Sequence, residues 1–206
     1  PGTKLAAFVA RACIRAVVLA AAFACTGCPE GNSVTEDGGS ADVLLPDVQP
    51  HPNYTEWTFS AGGKWWDWAS TVAVSKNDSV VFGGTLSGVV EFGSTSINAV
   101  HLRQPFVAEL DSLGEVKWVL VGRTGGGDGF LSELALDGDG NAVVCGSFDG
   151  QLDLGGLKLT STGGTDFFVA KLGPGGKTQW AISGGEQDMD IPLGLATLGD
   201  GAVVVS

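Results

Sequence analysis

The fold of this chain is decided by two similar stretches, FVAELDSLGEVKW at residues 106–118 and FVAKLGPGGKTQW at residues 168–180. The interval between their first residues, Phe106 and Phe168, is the same as the interval between Gly84 and Gly146, and it is the repeat spacing of the chain. Self-similarity at a fixed period of tens of residues is the signature of a repeat architecture. The chain is therefore predicted to fold as successive copies of one unit.

Each copy contains a predicted β-hairpin. Phe106, Ala108 and Leu110 alternate with other residues, which is the period-two pattern of a half-buried strand. The second copy places Lys171 where the first has Glu109, so this position is predicted to face water. A segment rich in turn-forming residues follows in both copies and leads into a second apolar strand.

Two further apolar runs precede each hairpin, at 72–74 and 80–84 in the first copy and at 134–136 and 142–146 in the second. Each copy is thus predicted to contain four antiparallel strands, a to d, and the insert between b and c is predicted to add a small outer hairpin. Repeated four-stranded units without helical periodicity are typical of a β-propeller. The predicted class is all-β, built from four-stranded propeller blades.

The sequence also resembles the bacterial β-propeller repeat (SBBP-type) proteins of cell surfaces. The likeness lies in LALDGDGNAVVCGSF at 134–148, DLGGLKLTSTGGTDFFVAKL at 153–172 and FVAKLGPGGKTQW at 168–180, and extends over roughly 56–206. The resemblance implies the propeller fold and a surface location, and it implies no particular activity.

The predicted propeller is incomplete. A lone strand d begins at residue 56, and the repeats cover about 69–121, about 131–184 and an incomplete 193–206. Propellers close with about 4 to 8 blades, so the chain is expected to be a fragment of a larger propeller.

The N-terminal region, 1–28, is predicted to be a lipoprotein signal peptide. It has basic residues followed by the apolar stretch Ala16 to Ala24, far shorter than the roughly 20 residues that span a bilayer. Cys25-Thr-Gly-Cys28 resembles a bacterial lipobox, with Cys28 as the predicted lipidation site and Cys25 as the alternative. A redox pair or a zinc half-site is disfavoured because neither a thioredoxin-like unit nor further ligands accompany it. Residues 29–55, rich in Pro, Gly, Ser and acid, are predicted to form a flexible tether.

The charge of the chain limits its partners. The formal net charge is −12, and the segment 1–27 contains Lys4, Arg11 and Arg15 but no Asp or Glu. A strongly acidic protein is unsuited to nucleic acid or to an anionic lipid surface, because both require a basic patch. The predicted partners are the membrane, through the lipid anchor, and a protein or glycan that the sequence does not identify.

Two motifs resemble ligand-binding loops. Asp137-Gly-Asp139-Gly-Asn141 matches the first half of a calcium loop but lacks the glycine and glutamate that should follow, so a turn held by its own side chains is predicted. The glycine-rich segment at 173–178 resembles a phosphate loop, but it leads into a strand and not a helix. A hairpin turn is predicted there.

The remaining candidate site residues are acids and tryptophans. Asp128 and Asp190, separated by the repeat spacing in loops from strand d to the next strand a, are candidate calcium ligands, or they bind backbone amides at the junctions between copies. A cluster of tryptophans is predicted to pack the first copy against a neighbour, with a glycan or partner surface as the alternative: Trp65, Trp66 and Trp68. The recurrence favours the structural role, so no catalytic residues and no cofactor are predicted, with calcium as the alternative.

These features predict a lipid-anchored protein of the bacterial cell envelope, at the outer membrane or cell surface, that presents a propeller as a binding or structural module. The alternative is a propeller-fold enzyme, either a hydrolase or a quinone-dependent dehydrogenase, whose active residues lie elsewhere in the full protein.

Overall fold

The structure, a computed structural model, describes residues 5–13, 16–24, 57–99, 102–199 and 201–206. Within these ranges the regular elements are β-strands and one short 3-10 turn at Pro174–Gly176, so the all-β prediction is confirmed. The strands are β1 (Leu5–Cys13), β2 (Ala16–Ala24), β3 (Trp57–Gly63), β4 (Trp68–Val74), β5 (Val80–Leu86), β6 (Val89–Phe92), β7 (Thr95–Asn98), β8 (Gln104–Leu110), β9 (Val116–Val121), β10 (Arg123–Thr124), β11 (Gly129–Leu136), β12 (Ala142–Leu154), β13 (Leu157–Leu172), β14 (Thr178–Gly184), β15 (Leu195–Thr197) and β16 (Val203–Val205).

Each copy of the repeat forms a four-stranded antiparallel sheet. The first sheet has the order β4-β5-β8-β9, and the second has the equivalent order β11-β12-β13-β14, with β10 paired to the outer part of β12. These are the predicted strands a to d. A third sheet contains β15 and β16, which occupy the positions of strands a and b in the next copy.

The insert between strands b and c forms the predicted outer hairpin in both copies. In the first copy β6 pairs with β7, and in the second the outer ends of β12 and β13 pair from Gln151–Thr160 to Leu154–Leu157. A bulge between Asp149 and Gln151 separates this outer pairing from the inner one. In the first copy the hairpin also joins an N-terminal sheet of order β2-β1-β3-β6-β7.

The sheets stack face to face, and this corrects the prediction of half-buried strands. Phe82 and Phe106 pack in one core with Phe59 of β3 and Phe92 of β6. Val107, between Phe106 and Ala108 on β8, is only 3% exposed and packs on the opposite side, in a core shared with the second sheet. Strands b and c are therefore buried on both faces, because each of the two four-stranded sheets packs against other strands on either side.

A repeated glycine lets strands a and b approach closely. Gly84 lies opposite Ala69 and Gly146 opposite Leu131, in each case beside a bulge in strand a. A Cβ on Gly84 would stand 2.0 Å from the backbone oxygen of Trp68, and a Cβ on Gly146 would stand 2.0 Å from that of Phe130. These glycines are needed for the close backbone approach at the bulge.

The described strands do not close into a barrel or a ring. The structure describes Leu5–Cys13 and Ala16–Ala24 as an antiparallel hairpin whose first strand pairs with β3. No helix in the described ranges is long and apolar enough to span a bilayer. The signal peptide over 1–28 and the tether over 29–55 stay predictions, since Cys25, Cys28 and residues 29–55 lie outside the described residues.

Candidate functional site

Buried and half-buried carboxylates cluster at the junctions where one sheet passes to the next. At the first junction Asp67 is 4% exposed, and its two oxygens accept hydrogen bonds from the backbone amides of Gly63 (2.9 Å) and Ser87 (3.1 Å). Burial raises the pKa of Asp67 from its ordinary 3.8 to about 6, although both amides act in the opposite direction. Asp67 thus ties the chain before β4 to the end of β5.

The raised pKa of Asp67 predicts that the protein gains stability on mild acidification. The folded state binds the Asp67 proton more tightly than the unfolded state, so this contribution is complete below about pH 4 and disappears as the pH rises through about 6. We expect about 2 kcal/mol of extra unfolding free energy near pH 4.5 relative to pH 7, compared with an Asp67→Asn variant. Urea unfolding of both proteins at the two pH values measures this difference in unfolding free energy. If the unfolding free energies of wild type and Asp67→Asn change with pH in parallel, the prediction is wrong.

The two sequence-predicted calcium candidates lie in different surroundings. At the second junction Asp128 accepts hydrogen bonds from the backbone amide and Nη1 of Arg103, both at 3.1 Å. At the third, Asp190 Oδ2 accepts a hydrogen bond from the amide of Glu186 at 3.0 Å. Both carboxylates therefore bind backbone amides, the second role proposed for them. Asp128 and Asp190 share no hydrogen-bond partner among these contacts.

A residue that the sequence analysis missed lies beside Asp190. Asp166 on β13 is 2% exposed; its Oδ2 accepts a hydrogen bond from the amide of Thr162, and its Oδ1 is buried with no hydrogen-bond partner. It lies one repeat spacing after Gln104, which is also buried. The signal available in the sequence was the replacement of the neutral Gln104 by the acid Asp166 at the same position of the repeat.

The turn that resembles half a calcium loop is held by its own side chains, as predicted. Asp137 Oδ1 accepts hydrogen bonds from the amides of Asp139 and Asn141, while Oδ2 accepts from Asn141 Nδ2 and lies 2.7 Å from Lys171 Nζ. Burial raises the pKa of Asp137, but the Lys171 ammonium and the hydrogen bonds outweigh it and lower the pKa to about 2. The Asp137 carboxylate therefore stabilises the turn.

Lys171 and Glu109 correct the prediction that their shared position faces water. Both residues are partly buried: Lys171 forms the ion pair with Asp137, and Glu109 accepts hydrogen bonds from Lys117 Nζ and Trp118 Nε1. The side-chain charge at this position changes sign between the copies because the groups that it binds differ. The glycine-rich segment at 173–178 forms a turn closed by a hydrogen bond from Gly173 N to the oxygen of Lys177, and it leads into β14 as predicted.

The three clustered tryptophans have different surroundings. Trp68 begins β4 and stacks on Phe130, the residue one repeat spacing later, with ring centroids 6.0 Å apart. Trp65 lies against Gly88, and Trp66 is 59% exposed. Trp68 is therefore part of the packing between sheets, whereas Trp65 and Trp66 remain candidates for a partner or glycan surface.

A repeated contact between sheets was not foreseen from the sequence. The indole of Trp57 lies over Gly114 in the c–d turn of the first sheet, and the indole of Trp118 lies over Gly176 in the same turn of the second. A Cβ on Gly176 would stand 2.5 Å from the Trp118 ring, and its φ of +72° also favours glycine. β3 and β9 thus each place a tryptophan against the c–d turn of the sheet that follows in the chain.

The described cysteine side chain is that of Cys145, which is free, buried and packed with Val143 and Val169. Burial raises the pKa of the Cys145 thiol to about 11, which suits an unreactive core residue. Within the described ranges, no three His, Cys, Asp or Glu side chains are grouped so as to hold a metal ion.

No protein-family profile matches this chain, and a search of the curated proteins found no match.

Proposed function

We propose that this chain belongs to an exported, lipid-anchored β-propeller protein of the bacterial envelope, whose stacked sheets act as a binding or structural module. The contact that carries the proposal is a tryptophan packed on a turn glycine of the following sheet, which occurs twice, as Trp57 on Gly114 and as Trp118 on Gly176. A contact repeated from unit to unit lets further units be added in the same geometry. It supports the interpretation of the sheets as propeller blades.

The arrangement of strands a also supports propeller geometry. Ser70 Oγ on β4 donates a hydrogen bond to the oxygen of Leu131 on β11 (2.7 Å), and Thr197 Oγ1 on β15 donates to the oxygen of Leu136 (3.0 Å). The Leu134 amide in turn donates to Thr71 Oγ1. The first strands of three successive sheets are therefore neighbours, as the innermost strands around a propeller axis must be.

The use of the polar side chains favours a binding or structural role. The carboxylates of Asp67, Asp137 and Asp190 accept backbone hydrogen bonds that hold turns and junctions in place. The alternative stays a propeller-fold hydrolase or quinone-dependent dehydrogenase whose active residues lie elsewhere in the full protein. The partner is proposed to be a protein or glycan, with exposed Trp66 beside Trp65 as the candidate contact.

The lipid anchor is testable with the full chain expressed in a bacterium that processes lipoproteins and grown with a labelled fatty acid. We expect Cys28→Ala to lose the label, because Cys28 is the proposed modified residue. Cys25→Ala should retain it, and Cys145→Ala is the matched control at a buried cysteine. Label lost only in Cys25→Ala would move the anchor to the alternative site. An unlabelled wild-type protein would refute the anchor.

A further inference from the structure

The third junction contains a buried carboxylate oxygen that the protein leaves without a partner. Asp166 is 2% exposed, and its Oδ1 is buried without a hydrogen bond, although Oδ2 is bonded to the amide of Thr162 at 2.9 Å. Removing an ionised carboxylate from water is costly unless it is paired. A positively charged group is expected to meet Asp166 Oδ1.

Asp166 Oδ1 and a carboxylate oxygen of Asp190 both lie beside Gly185. A Cβ built on Gly185 would stand 2.6 Å from Asp166 Oδ1 and 2.8 Å from Asp190 Oδ2, so both oxygens border the same small space. Gly185 has a φ of +153°, and any side chain there would collide with both carboxylates. Two ionised carboxylates that border one space repel each other unless a cation lies between them or they share a proton.

The equivalent place in the first copy carries its own cation. One repeat spacing earlier, Gln104 stands for Asp166 and Arg103 for Thr165. Gly129 has the backbone place of Asp190, because its amide bonds to the oxygen of Arg103 as the Asp190 amide bonds to that of Thr165, and Asp128 immediately precedes Gly129. The Arg103 guanidinium pairs with Asp128 at 3.1 Å. Gln104 Oε1 is also buried without a partner, but an amide carries no net charge.

The second copy therefore has one more carboxylate and one fewer guanidinium at this place. The ion pairs among the described residues are Arg103–Asp128, Lys117–Glu109 and Lys171–Asp137, and none of them involves Asp166 or Asp190. Glu186 and Asp188, in the loop that carries Asp190, add negative charge close by in the chain.

We propose that a divalent cation of the calcium class binds at the third junction, held by the carboxylates of Asp166 and Asp190. Calcium prefers carboxylate oxygens and tolerates irregular coordination completed by water and backbone oxygens, whereas magnesium demands near-octahedral geometry. The cation neutralises carboxylate charge in the second copy, as the Arg103 guanidinium does for Asp128 in the first. With two protein carboxylates the affinity should fall in the range of extracellular calcium modules, a Kd of about 10⁻⁴ to 10⁻³ M.

The test is calcium titration of the full chain by calorimetry, together with thermal unfolding at increasing CaCl₂. We expect Tm to rise by about 3–6 °C at a calcium concentration about tenfold above Kd. Asp166→Asn should weaken calcium binding at least about tenfold and abolish this rise. Asp128→Asn, the matched removal of a carboxylate at the Arg103-paired position, should leave the calcium response unchanged.

Thr165→Arg provides the reciprocal test, because it gives the second copy the guanidinium of the first. This variant should unfold at a temperature independent of calcium and bind calcium at least about tenfold more weakly. If Asp166→Asn does not fold, Asp190→Asn replaces it with the same expectation. The proposal is overturned if wild-type protein binds no calcium, if Asp166→Asn binds it as tightly, or if Asp128→Asn loses as much affinity.

Discussion

Gly146→Ala is expected to destabilise the protein by about 3 kcal/mol or more. The added methyl group would stand 2.0 Å from the oxygen of Phe130 and 2.8 Å from the ring of Phe168. The oxygen belongs to strand a, which pairs with Gly146 through Leu131, so it cannot move without disrupting the ladder. The ring is fully buried in the core between the first and second sheets. Neither neighbour has room to give way.

Urea unfolding of Gly146→Ala and Gly138→Ala measures this effect against a matched control. Gly138 lies in the exposed turn between β11 and β12, and a Cβ there meets no atom within 4 Å. Gly138→Ala is expected to change the unfolding free energy by less than about 1 kcal/mol. Equal stability of the two variants would show that strand a can shift away from strand b. Gly84→Ala, the same change in the first copy, should resemble Gly146→Ala.

The four strands of each copy could be predicted because their pattern repeats. Two stretches that share turn residues and apolar positions must satisfy the same local geometry. A hairpin was therefore predicted both at 106–118 and at 168–180, and both hairpins form. The outer hairpin of the insert followed from the same alignment. The burial of both strand faces could not be predicted in this way. Val107 packs against the neighbouring sheet, and alternation within one strand carries no information about that neighbour.

The carboxylates show where the sequence stops being informative. Recurrence at the repeat spacing singled out Asp128 and Asp190, but Asp128 pairs with Arg103, whose counterpart Thr165 is uncharged, and Asp190 has the backbone place of Gly129. Asp166 was overlooked because its counterpart Gln104 is not an acid. Repetition therefore located the shared framework of the copies, while the candidate cation site depends on a residue by which they differ.

Trp118→Ala is expected to cost about 3 kcal/mol of unfolding free energy, at the lower end of the range for large aromatic residues because Trp118 is only partly buried. The substitution removes the indole that covers Gly176 and packs on the core between the first and second sheets. It also removes the hydrogen bond from Trp118 Nε1 to Glu109 Oε2 at 2.5 Å. The first loss acts where one sheet contacts the next, and the second acts between the neighbouring strands β8 and β9 of one sheet.

Trp66→Ala separates the packing role of Trp118 from the general loss of an aromatic side chain. Trp66 is 59% exposed, so its removal should cost less than about 1 kcal/mol in the same urea unfolding experiment. If Trp118 acts by covering Gly176, Gly176→Ala should destabilise the wild type more than it destabilises the Trp118→Ala variant. In the wild type the added methyl group must displace the indole ring, whereas in the Trp118→Ala variant that ring is gone. Additive effects of the two substitutions would mean that Trp118 contributes through Glu109 and not through the turn of the next sheet. The proposed blade-to-blade contact would then lose its support.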